Sequence, residues 1–377
     1  HLKQQANLDF VDYLLFAKEC APHVETFDLT WEEPIQDSTK MHLLIKKGLQ
    51  LYNKTNDDYL KLRYAFQIVR LAHYIDDYIL GLNLYDQLTS NLNVKSIINY
   101  WLLSHKAGML KLTGKHAEGN YLFAKIFDEC PSRRLIASNN YDGDYSEYQE
   151  VLSFAKTDKE REVIMFLSSY DISDVEPYHL HRLNPKSEYL EIILFRRIQS
   201  LERTLLPDKY YYYQSLEETE KEPRFYSSDY YNFQTMLKWI NVVAGYENTL
   251  RPHVWYLASG YVSMLLGHSD IAKISFSKAE KLWPKNDPIY LDRLKICEIL
   301  NRIDLTEKLD KKFEKLVLLD LIWLQKYAGL NSKDALVFVF YKLYKRYKSE
   351  GNILYANLCL GNFKSGYNIK RNPLLCN

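Results

Sequence analysis

Residue types capable of chemistry occur throughout this chain, but few of them stand at working spacings. His179 and His181 flank Leu180. Two histidines two residues apart can ligate a metal in a turn, yet no third ligand follows nearby. The stretch from Pro177 to Arg182 therefore reads as a loop carrying structural or surface histidines. His105 and His116 are not four apart, and neither belongs to an H-E-x-x-H pair. Asp142, Gly143, Asp144 and Ser146 open like a calcium loop, but the later glycine and the closing bidentate glutamate are missing, so a plain turn is expected. There is no G-x-S-x-G, no phosphate-cradling glycine loop and no dinucleotide fingerprint. The expectation is no catalytic residue, no metal ligand and no cofactor.

Carbohydrate chemistry is the alternative that the composition leaves open. Tyr210, Tyr211, Tyr212 and Tyr213, with Tyr226, Tyr230 and Tyr231, could stack on sugars or on a partner, or fold back over the protein as a hydrophobic patch. Acids such as Glu147, Glu150, Glu191 and Asp229 are scattered among them. Glycoside hydrolysis needs two carboxylates about 5–10 Å apart in an aromatic cleft. Spacing in the sequence does not supply that pairing.

The bulk numbers narrow the class. With 377 residues the chain is long enough for two or three globular domains or one long solenoid. Hydrophobic residues at 47% and charged residues at 26% match an ordinary folded protein. The 49 basic and 48 acidic residues nearly cancel, which argues against nucleic acid or an anionic membrane as partner, though a local patch remains compatible. No run approaches the roughly 18–20 apolar residues of a membrane span. Five cysteines at 20, 130, 297, 359 and 376 include no C-x-x-C pair, so buried thiols are expected rather than a disulfide framework. The chain starts at His1 rather than Met, as expected if a start was trimmed or a leader removed.

The elements that must position these residues read as helices almost throughout. Only 13 Gly and 11 Pro accompany 32 Tyr, which suits long helices with short connections. Apolar residues recur at helical spacing over about 1–20, 39–53, 59–74, 78–88, 94–112, 116–128, 147–170, 190–201, 252–283, 291–300, 306–327 and 333–348. Asn184 and Pro185 look like an N-cap and first helical residue. Residues 207–229 are the least regular, with Pro207, the four tyrosines, an acidic cluster and Pro223. The expected organisation is a helical segment over 1–206, an irregular Tyr/Glu-rich loop over 207–229, and a second helical segment over 230–377.

One spacing repeats. Gly260, Gly267, Ala272, Phe276, Ala279 and Pro284 have the intervals of Ala107, Gly114, Gly119, Phe123, Ile126 and Pro131. Asp76, Gly81, Tyr85, Leu88 and Asn93 follow the same intervals without the first position, and Gly351, Ala356 and Leu360 echo them in degenerate form. Small residues let antiparallel helices approach, an aromatic fills the gap, and Pro stops the second helix. This spacing resembles the tetratricopeptide repeat and implies an all-α, partly degenerate superhelical solenoid of antiparallel helix pairs. Residues 60–74, LKLRYAFQIVRLAHY, also look like a segment from uncharacterised exported repeat proteins of the Bacteroidota. That likeness implies an extracytoplasmic location and a longer parent protein.

Tetratricopeptide proteins mostly bind peptides or proteins in a concave groove lined by the first helix of each pair. The resemblance therefore implies a non-catalytic scaffold with a protein or peptide partner. It places Arg63, Phe66, Arg70 and His73 inward in the first unit, Trp101, Ser104, Gly108 and Lys111 in the second, and Val254, Leu257, Tyr261 and Met264 in the third. Arg63, Arg70 and Lys111 could pair with an acidic partner, or be solvated helix faces. A structural subunit of an envelope assembly is the third alternative, and it predicts apolar patches on outer helix faces.

Overall fold

The computed structural model describes residues 5–24, 37–142, 145–169, 176–205, 227–246, 248–284, 291–327 and 332–364. Among these residues there are 18 α-helices, two 3-10 turns and no strand. The chain divides into two compact units, residues 1–183 and 184–377.

The first unit contains α1 (Gln5–Cys20), α2 (Ser38–Lys54), α3 (Asp58–Tyr74), α4 (Tyr78–Thr89), α5 (Ile97–Leu112), α6 (His116–Glu129), α7 (Arg134–Asn140), α8 (Tyr145–Ser153), α9 (Asp158–Ser168) and α10 (Glu176–Leu183). Short polar side chains start many of them. Asp37, Asp57 and Asp77 accept from the backbone N–H three residues on, and Ser96 and Thr157 form reciprocal capping boxes with Asn99 and Glu160. Neighbouring helices from α2 to α6 pack in sequence, while α3 also contacts α1 and α5. Tyr64, Ile68 and Leu71 of α3 therefore sit in a core shared with Phe16, Met41, Leu102 and Met109.

The second unit contains α11 (Glu188–Leu205), α12 (Ser227–Ala244), α13 (Pro252–Leu265), α14 (Ser269–Leu282), α15 (Leu291–Leu305), α16 (Lys311–Tyr327), α17 (Ser332–Ser349) and α18 (Ile353–Lys364). Here too α13 contacts α11 and α15, and α15 contacts α17, beside the contacts between successive helices. The core joins Ala272, Phe276, Leu300, Ile303, Leu324, Val339 and Leu343. Arg346 of α17 reaches the C-terminal end of α15 and donates to the carbonyls of Ile303, Asp304, Thr306 and Glu307. That guanidinium satisfies oxygens that an ending helix leaves without a partner.

The repeated spacing has one local structure. Among the described residues, positive φ occurs at Asp76, Gly114, Gly267 and Gly351, with values of 62°, 85°, 82° and 75°. These four residues join α3 to α4, α5 to α6, α13 to α14 and α17 to α18. After three of the four, the next N–H bonds back across the turn: Lys115 to Leu110, His268 to Ser263 and Asn352 to Tyr347. This is the left-handed helix end that glycine accepts without a Cβ clash. Further along, a Cβ on Gly119 would stand 2.7 Å from the Ala107 carbonyl oxygen, and one on Gly260 would overlap the Phe276 ring. The small residues mark helix crossings too close for a side chain.

Several boundaries differ from the sequence reading. Asn184 caps no helix: its side chain accepts from Lys186 N–H in a turn, Ser187 accepts from Tyr189 N–H, and α11 begins at Glu188. The expected helix over 147–170 is two, because the Thr157–Glu160 capping box restarts the chain at Asp158. The stretch over 306–327 begins its helix at Lys311, where Asp310 accepts from Phe313 N–H. His179 and His181 lie on α10 rather than in a loop. Most of the irregular segment expected at 207–229 lies outside the described residues, but 227–229 belong to α12.

Candidate functional site

Arg63, Phe66, Arg70 and His73 are spaced by three, four and three along α3, so they share one helical face. The helices beside α3 determine what that face meets. The Arg63 guanidinium lies 4.8 Å from the Tyr59 ring centroid and 5.5 Å from that of Tyr13 on α1, and donates to the Tyr59 hydroxyl at 2.7 Å. Phe66 packs against Trp101 of α5, with centroids 5.4 Å apart, and against His105 at 5.8 Å. Arg70 lies 5.9 Å from the Phe66 ring and 5.8 Å from Tyr74, and donates to the Val24 carbonyl at 3.0 Å.

His73 and His105 bring their Nδ1 atoms within 2.9 Å, with rings nearly perpendicular. One nitrogen must donate and the other accept, so the contact fits two neutral rings. Gly108 makes room for the pair, since a Cβ there would stand 3.0 Å from His73 Cε1. Burial pushes the His105 pKa down to about 3, aided by the nearby charges of His73, Arg70 and Arg133. Burial also lowers His73, against the pull of the Asp76 carboxylate.

Arg133 completes the cluster from the 3-10 turn Pro131–Arg133 that follows α6. Its guanidinium sits 5.0 Å from the Trp101 ring centroid. Burial lowers its pKa, the Cys130 thiol opposes that, and the Arg70 charge adds to the lowering. Neither has an acidic partner: among the described residues no carboxylate pairs with Arg63, Arg70 or Arg133. Elsewhere in this unit Lys47 pairs with Glu19, Lys106 with Asp86 and Arg161 with Asp158.

Of the twelve residues expected to line a groove, Arg63, Phe66, Arg70, His73 and Trp101 fall in this cluster with Gly108 beside them, while Val254, Leu257 and Met264 are buried in the second unit. Lys111 is engaged elsewhere, in an ion pair with Asp142 and a hydrogen bond to the Asn140 carbonyl. Tyr261 lies in the second unit and donates to Glu202 at 2.6 Å. Burial and then the Glu202 carboxylate raise its pKa. The sequence reading weighed His105 only as a metal ligand and did not name Arg133, and it placed neither on the groove. His105 could have been, since it lies one turn beyond Trp101 on α5; Arg133 follows Pro131, where helical periodicity gives no guidance.

His181 is buried and His179 exposed, and no three His, Cys, Asp or Glu side chains among the described residues could hold a metal ion. Asp142 is latched by Asn120, which donates to its carbonyl at 3.0 Å and accepts from its N–H at 3.1 Å; residues 143 and 144 lie outside the described residues. Glu191 is buried and receives Arg251 on both carboxylate oxygens. Glu147 and Glu150 lie on α8 and Asp229, Tyr230 and Tyr231 on α12; the tyrosines at 210–213 and 226 lie outside the described residues. Cys20, Cys130, Cys297 and Cys359 are free and buried, and burial pushes Cys20, Cys297 and Cys359 up to about 12. Buried thiols held protonated are poor nucleophiles.

Comparison of the chain with protein-family models, with curated proteins and with solved structures finds no match in any of the three.

Proposed function

We propose that the chain is a non-catalytic scaffold of tetratricopeptide-like helix pairs that binds an extended segment of a protein partner on the α3–α5 face of its first unit. The repeat reading is supported by the left-handed residue at the same place in four helix pairs and by contacts between alternate helices. Binding rests on one observation above others: Arg70 and Arg133 are held against aromatic rings, and among the described residues no carboxylate pairs with either. Cations and aromatics in this arrangement are common at surfaces that capture another molecule.

The test is a peptide array probed with the full chain. Enriched peptides, lost when Trp101→Ala leaves the circular dichroism spectrum unchanged, support the reading. An array bound identically by the variant, or not bound at all, would sink it.

A second reading, a structural subunit of an assembly, is favoured by apolar residues open to solvent in the second unit. Leu318, Leu319 and Ile322 on α16, and Ile353, Leu354 and Leu358 on α18, are all exposed. That reading expects self-association or a co-purifying subunit, which sedimentation of the full chain would reveal.

A further inference from the structure

Resting on the scaffold reading, we infer that Arg70 and Arg133 form a receptor site for the phosphate of a phosphorylated peptide, beside the Phe66 and Trp101 rings.

Charge balance selects the ligand. Arg70 lies over the Phe66 ring and Arg133 over the Trp101 ring, and those two rings are 5.4 Å apart, so two positive charges flank one aromatic pair. A carboxylate would neutralise one of them. A phosphomonoester carries about −1.5 to −2 charges at neutral pH and presents three acceptor oxygens, which two forked guanidiniums can share. Arg70 already spends one N–H on the Val24 carbonyl, and among the described residues no other acceptor takes its remaining donors. No hydrogen bond from the Arg133 guanidinium to another described residue competes with a ligand, and the Trp101 face orients it. Both side chains are half-buried, so solvent reaches them while the low-dielectric surroundings strengthen a charge-assisted bond. The adjacent His73–His105 pair supplies neutral N–H groups rather than further charge. The Asp76 carboxylate, which acts on His73, accepts from the Tyr78 hydroxyl.

The site is tested with fluorescent peptides of randomised sequence around one fixed central residue: phosphoserine, phosphotyrosine, serine or glutamate. Binding to the full chain is read by anisotropy at fixed salt. We expect phosphorylated pools to bind roughly 10- to 100-fold tighter than the serine pool, the range given by charge-assisted bonds of about 1.5–3 kcal/mol. Arg133→Gln should remove most of the difference between the phosphorylated pools and the serine pool, each compared in the same variant. Arg70→Gln also loses the Val24 bond, so its loss of binding counts only with the helical content intact; Arg133→Gln stands without that risk. A phosphotyrosine preference would add that the aromatic floor takes the ring, and a phosphoserine preference that the phosphate alone is read; either supports the site.

Glutamate equal to phosphoserine would overturn the inference in favour of a carboxylate site. Binding only to vesicles containing phosphatidylinositol phosphates, with no phosphorylated pool bound, would overturn it in favour of a lipid headgroup. If the serine pool binds as well as the phosphorylated ones, the phosphate site falls and the scaffold stands. If no pool binds at all, both fall.

Discussion

At the scale of the residue, the His73–His105 contact makes a definite prediction about pH. An imidazole in an unfolded chain titrates near 6.5. In the folded protein His105 is held down to about 3, so between those values the unfolded state binds more protons. The stability that depends on a neutral His105 is therefore complete above about pH 6.5 and is lost as pH falls toward 3. His105→Gln removes the titration but keeps a group that can hydrogen-bond His73. Urea midpoints measured from pH 7 to pH 4 should fall more steeply in the parent than in this variant; parallel curves would refute the neutral pair. Little of this contact was legible in the sequence. His73 and His105 are 32 residues apart, and their meeting depends on the register between α3 and α5, which no local spacing encodes. Arg70 and Trp101 were legible as members of a face, because a face needs only helical periodicity.

Helix pairs carry the second prediction. Gly114 and Gly267 sit at φ values of 85° and 82°, where an L side chain costs about 1–2 kcal/mol. Gly114→Ala and Gly267→Ala should each lower stability by that amount, read as a shift in urea midpoint at constant slope. Gly260→Ala fails for another reason, since its Cβ meets the Phe276 ring; overpacking of this kind costs about 1–3 kcal/mol. Phe276→Leu in the same chain should restore part of the loss, which a backbone effect would not allow. These positions were legible because turn handedness and helix approach are local constraints that select small residues. Helix starts were less so. Asn184 and Ser187 are both good caps, and the choice between them follows from where α11 packs rather than from either residue. The breaks before Asp158 and Lys311 were hidden by apolar residues that keep helical spacing across a non-helical joint.

For the whole molecule, one core cluster in each unit predicts separate responses to damage. The core cluster around α3 and α5 runs from Tyr13 to Met109, and the one around α15 and α17 runs from Leu257 to Leu360. Leu102 is fully buried in the first, and Leu102→Ala should cost about 2–5 kcal/mol there. Hydrogen exchange by mass spectrometry should show faster exchange through α3 and α5 with α15 and α17 unchanged. Faster exchange everywhere would mean a single cooperative unit. Arg346 adds a direction to how the second unit comes apart. One side chain of α17 holds two carbonyls in the last turn of α15 and two just beyond it, so the two helices are latched at that point. When the chain is pulled from its C-terminus, departure of α17 must also release the last turn of α15, and both should leave in one mechanical step. Arg346→Met should divide that step into two smaller ones at lower force, making this guanidinium a determinant of how the protein yields under load.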